Sequence, residues 1–126
     1  MRSSLIVFVG SGVGGVFRYL LNTFVTRITG TAFPWGILSV NLLGCTLMGL
    51  AVGWFSQRAS ILGDIRLFLT TGILGGFTTF SAFSLDTVVL YERGEPRLAA
   101  VYVVASVLLS IVGLFVAMWN LHAPVT

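Results

Sequence analysis

An apolar run from Leu67 to Leu90 is long enough to cross a bilayer, and GGFTTFSAFS (Gly75–Ser84) is set in its middle. Gly75 and Gly76 each weaken a helix by roughly 1 kcal/mol relative to alanine. Thr78 and Thr79 are good N-caps for a helix that restarts at about Phe80. Together they predict a membrane helix broken at Gly75–Thr79. Carbonyls are then freed where its first half ends, and amides where its second half starts. Such backbone is tolerated at membrane depth only where protein buries it or water lines it. A break therefore marks a site for ions or small polar solutes. A kinked helix with ordinary Ser/Thr packing is the other reading of the same residues.

Composition forces the membrane setting. Charged residues make up 9% of the chain and the mean hydropathy is +1.01, whereas soluble domains carry about 25% charged residues. The 126 residues suffice for one domain, expected to fill 1–126. The net charge is +3, every basic residue is Arg, and they are scattered. No basic run is present to meet nucleic acid or anionic lipid. Cys45 reads as a small buried side chain, and one cysteine makes no intrachain disulfide. His122 is expected in a short solvated tail. No nucleophile–base–acid constellation can be assembled, so the chain does not read as an enzyme.

Four spans are predicted, at about 5–25, 35–55, 66–91 and 98–121, each near the 20 residues a bilayer requires. The first carries Gly10-x-x-x-Gly14, a spacing for close helix contact, and Arg18, a costly residue at membrane depth. Span two holds Ser39, Asn41, Cys45 and Thr46, then Gly49-x-x-x-Gly53. The Asn41 amide would be expensive facing lipid; an interhelical hydrogen bond and a polar pathway both accommodate it. Trp35, Trp54 and Trp119 sit near span ends, as interfacial anchors do. Loops are expected at Arg27–Phe33, at Ser56–Asp64 and at Glu92–Pro96. Span four carries Tyr102, Ser106 and Ser110 on one face.

Arginines divide evenly between the two sides. Arg2, Arg58 and Arg66 fall on the side of both termini, and Arg27, Arg93 and Arg97 on the other. Orientation follows Lys/Arg asymmetry, so a chain without it could insert both ways. Two opposed copies would then supply the symmetry that inverted repeats give many transport sites. At about 1.5 Å rise per residue through roughly 30 Å of hydrocarbon, Asn41 lies about 5 Å from the midplane, in the second side's leaflet. Arg18, Phe80, Phe83, Tyr102 and Ser106 fall in that leaflet too, and Asp86 near its interface. The shared depth favours a polar pathway. Its donors would be Asn41, Ser81, Ser84, Tyr102, Ser106 and Ser110, with positive ring edges available from Phe80 and Phe83, although periodicity alone favours hydrophobic core for those two rings. That chemistry suits a small, strongly hydrated anion.

With GGFTTFSAFS, VNLLG around Asn41 and ERG after the third span, the chain closely resembles the small fluoride channels of the Fluc/CrcB family. The resemblance covers essentially the whole length. It implies an all-α membrane protein of the inner membrane, forming an antiparallel dual-topology homodimer with two pores that lets fluoride leave the cytoplasm passively. It implies fluoride contacts at Asn41, Phe80 and Phe83, and a polar route through Tyr102, Ser106 and Ser110 helped by Ser81 and Ser84. It also implies a central structural sodium (Na+) on the backbone carbonyls of Gly75 and Thr78. Arg18 matches the family's first-span arginine, while Asp86 stands where Glu is more usual. A vestibular or structural role is expected for both, and their shared leaflet suggests a salt bridge or a water-bridged pair. A small multidrug-type exporter shares the size, but it requires a carboxylate in the first span and Leu5–Val25 has none. A non-transporting membrane assembly protein is the third reading.

Overall fold

The computed structural model describes residues 1–58, 60 and 63–122, except for the side chain of His122. The Ser56–Asp64 loop and the solvated state expected for His122 thus lie wholly or partly outside the described residues. Among those residues every regular element is helical: α1 (Arg2–Thr29), α2 (Trp35–Ser56), α3 (Gly63–Leu67), a π-helical segment (Phe68–Leu74), the short turn α4 (Gly75–Phe77), α5 (Phe80–Glu92) and α6 (Pro96–His122). Arg2–Thr29, Trp35–Ser56, Gly63–Glu92 and Pro96–Leu121 are long and apolar enough to cross a membrane. They overrun the predicted spans. At 28 residues and about 1.5 Å each, α1 exceeds roughly 30 Å of hydrocarbon. Hydropathy marks the hydrocarbon, while helical hydrogen bonding continues beyond it.

Turn chemistry sets where α1 and α5 stop. Gly30 and Gly94 both adopt φ 79°, a left-handed conformation that costs glycine little. Their amides donate to Thr26 O (2.8 Å) and Tyr91 O (3.0 Å). Side-chain contacts then tie the ends of the bundle. Arg2 pairs with Asp64 at one end, and Arg93 Nη1 donates to Thr31 O at the other, 2.8 Å away.

Small residues govern the packing. Along α2, Gly49 meets Leu114 and Ala117 of α6, and Gly53 meets Leu121. On α1, Gly10 lies on Gly72, Gly14 lies on Ile73 and Phe77, and Ser11 lies on Gly76. An added Cβ at Gly10 would stand 2.8 Å from Gly72 Cα. The Gly10-x-x-x-Gly14 spacing therefore serves contact with the third span within the chain. Ile37, Leu38, Phe83, Leu90, Ala99 and Tyr102 form a buried apolar cluster toward the Arg93 end. The outer faces of α1 and α6 expose Phe8, Phe17, Phe24, Ile111, Phe115 and Trp119, as lipid contact or a partner requires.

The third span leaves helical geometry at its threonines. Gly75 is helical (φ −64°, ψ −38°) and Gly76 continues α4, whereas Thr78 (φ −77°, ψ 154°) and Thr79 (φ −150°, ψ 122°) are extended. Glycine's low propensity is thus not what interrupts the backbone. Gly76 is small because Ser11 O would lie 2.5 Å from an added Cβ. Only Thr79 caps α5, its Oγ1 accepting the Ala82 amide at 3.2 Å. The Thr78 hydroxyl instead donates back to Leu74 O, 3.1 Å away.

Candidate functional site

Thr78 still returns its amide to Leu74 O at 3.1 Å, whereas the Thr79 amide is diverted, and α2 meets that exposed backbone with Asn41. Asn41 Nδ2 donates to Thr79 O at 2.9 Å, and the Thr79 amide donates to Asn41 Oδ1 at 2.8 Å. A continuous helix would give that amide to the Gly75 carbonyl. On the α1 side, Arg18 Nη1 donates to Thr78 O across a long 3.4 Å. The interruption is thus braced by two neighbouring spans.

A groove opens beside it. Asn41 and Cys45 of α2, Gly75, Thr78 and Thr79 at the interruption, Phe80 and Phe83 of α5, and Ser106 and Ser110 of α6 line it. Phe80 and Phe83 lie 5.4 Å apart between ring centres, but their environments differ. Phe80 is 76% exposed and Phe83 only 8%. Phe83 continues to Tyr102, ring centres 5.3 Å apart, so it belongs to the core and to the groove at once. Ser106 and Ser110 are 5% and 9% exposed, and neither hydroxyl has a hydrogen-bond partner among the described residues. A buried polar group left unpaired costs about 1–3 kcal/mol, so two neighbours on one groove wall point to a polar occupant.

The chain is similar to known proteins over most of its length. Residues 5–118 match the family model described as CrcB-like protein, Camphor Resistance (CrcB). The chain belongs to the CrcB family. A Rhodopseudomonas palustris relative is 52% identical over 119 residues, covering 94% of this chain and 96% of its own. One from Granulibacter bethesdensis is 55% identical over 118 residues, covering 94% and 93%. Both are named fluoride-specific ion channel FluC. A Rhizobium etli relative of the same name is 43% identical over 125 residues, or 99% of this chain and 100% of its own.

In this CrcB chain the residues expected on one route are distributed over four places. The groove collects Asn41, Phe80, Phe83, Ser106 and Ser110, together with Gly75 and Thr78. Ser81 lines a second hollow with Arg18, Tyr19, Asn22 and Leu85. Ser84 is turned onto its own helix, donating to Phe80 O at 3.0 Å. Tyr102 is fully buried, and its hydroxyl donates to Asp86 Oδ2 at 3.2 Å.

Arg18 and Asp86 make no direct salt bridge among the described residues. Arg18 reaches the Thr78 carbonyl, while Asp86 faces Tyr102 and a third hollow shared with Asn22, Thr26 and Arg93. A common depth brings two residues to one level of the membrane and says nothing about azimuth around each helix. Two further groove features carry little mark in the sequence, the Cys45 side chain and the Thr79 backbone. For the cysteine the available signal is a small side chain four residues after Asn41, on the same helical face.

Proposed function

We propose that this chain is a fluoride channel of the inner membrane that works as an antiparallel homodimer and releases fluoride passively from the cytoplasm. The observation that carries the reading is the groove wall of Ser106 and Ser110, two buried hydroxyls without partners, facing the cavity lined by Asn41, Phe80 and Phe83. Hydroxyl and amide donors with phenyl edges can replace the water of a small anion. The names of the close relatives support fluoride as that anion. No carboxylate occurs in α1 to couple protons, which disfavours a multidrug-type exporter.

Two opposed copies would turn the exposed side of the groove into an interface and give one pathway per chain. The interruption fits a structural sodium as a donor set. Gly75 O has lost the Thr79 amide to Asn41, and neutral backbone oxygens suit a monovalent cation. Gly75 and Thr78 of each copy would hold it, with Thr78 O also within reach of Arg18. Bound there, the ion would supply positive charge between the two interruptions. Fluoride release from liposomes containing the purified protein, followed with a fluoride electrode, tests the function. Rapid release that spares chloride is expected; vesicles that hold their fluoride would refute it.

A further inference from the structure

We infer that the extended backbone of Thr79 is a positioning element that fixes the Asn41 amide in one orientation and so holds its free Nδ2–H as the donor offered to the groove. This rests on the fluoride-channel reading above. An asparagine side chain carries an acceptor at one end and two donors at the other. A free amide in a groove could therefore turn either end toward an ion, serving cations as readily as anions. Here Oδ1 receives the Thr79 amide at 2.8 Å, and one Nδ2–H is given to Thr79 O at 2.9 Å. The reversed amide would set Nδ2–H against the Thr79 N–H and Oδ1 against the Thr79 carbonyl. Two attractive contacts would become two repulsive ones.

What remains is one Nδ2–H on a groove-lining residue, beside one spare lone pair on an oxygen already held at the Thr79 amide. Helical backbone could not do this, because its N–H and C=O point along the axis and are taken by neighbouring turns. Thr79, at φ −150° and ψ 122°, offers both groups sideways, as a strand offers them to its partner. The interruption thus has a use that does not involve a cation. It converts two residues of a membrane helix into a reader for one side chain of α2. Thr79 is excluded from touching the anion in this role; it acts through Asn41.

Replacing the Thr79 amide with an ester, by incorporating the α-hydroxy acid analogue of threonine, deletes the donor and keeps the side chain and its cap. An equivalent ester at Val104, an exposed position of α6, removes one ordinary helical bond for comparison. In liposomes the Thr79 ester should lose at least roughly tenfold in fluoride flux, and its preference for fluoride over chloride and over potassium should narrow. The Val104 ester should do neither. Hydrogen exchange on the amide-containing protein reads the clamp directly, and Asn41→Ala should speed exchange at the Thr79 amide at least roughly tenfold. A folded Thr79 ester with unchanged flux and selectivity would overturn the inference, as would unchanged Thr79 exchange in Asn41→Ala. If wild-type vesicles released no fluoride, the channel reading would fall, and the exchange result alone would decide the clamp.

Discussion

Removing the Ser110 hydroxyl takes away a buried group that has no partner among the described residues. Ser110→Ala should therefore leave unfolding in detergent unchanged or shift it upward, by up to about 1 kcal/mol, while fluoride flux falls. A structural serine would show the opposite pattern, with lost stability and intact flux. At Asn41 the expected change is larger. Asn41→Asp keeps an acceptor for the Thr79 amide but turns a second oxygen toward the Thr79 carbonyl and adds charge where an anion must pass. Flux should drop at least roughly tenfold by like-charge repulsion, measured with the fluoride electrode on folded protein. Phe80→Ile keeps apolar bulk and removes the ring. Because Phe80 is mostly exposed, reduced flux without loss of stability would mark the ring as part of the route, and normal flux would remove it.

Within the third span, two adjacent glycines have different duties. Gly76 faces the backbone of Ser11, and Gly76→Val should cost about 1–3 kcal/mol through overpacking between α1 and α4. Gly75 has room inside the chain, its nearest obstacle for a Cβ being Thr70 O at 3.5 Å. Gly75→Val should therefore fold, contrary to what crowding at the interruption would suggest. In the antiparallel dimer proposed above it should fail to associate, read as a shift to monomer in detergent chromatography. A stable Gly75→Val dimer would place that residue away from the partner. Arg18 and Asp86 act on different neighbours, so their alanine variants should combine additively in a double-mutant cycle, within about 0.5 kcal/mol.

For the whole molecule, the even division of arginines predicts insertion in both orientations. The structure groups them by end: Arg2 pairs with Asp64 at one end and Arg93 meets Thr31 at the other. A cysteine at Ser60, in a Cys45→Ser background, should be labelled from both faces of the membrane in intact cells. Labelling from one face alone would refute dual topology. Added lysines beside Arg58 should bias insertion and impair function when that copy is expressed alone.

The membrane setting and the four apolar spans are legible in the amino-acid sequence, because hydropathy depends only on which residues are adjacent in the chain. The resemblance of GGFTTFSAFS and its companions names the family, and helical rise gathers Asn41, Phe80, Phe83, Tyr102 and Ser106 into one leaflet. Azimuth is not legible, because it depends on how each helix is rolled against its neighbours. That is why Ser81 lines a different hollow from Ser106 and Ser110, and why Arg18 finds Thr78 and Asp86 finds Tyr102. Nor does propensity identify the interrupted residues. Gly75 and Gly76 stay helical with α1 packed beside the turn, and Thr78 and Thr79 become extended; at Thr79, Asn41 supplies the two hydrogen bonds that a helix would have made. Local chemistry determined that the third span would be weak near its middle. Tertiary structure decided which residues leave the helix, through a side chain 38 residues earlier that braces them.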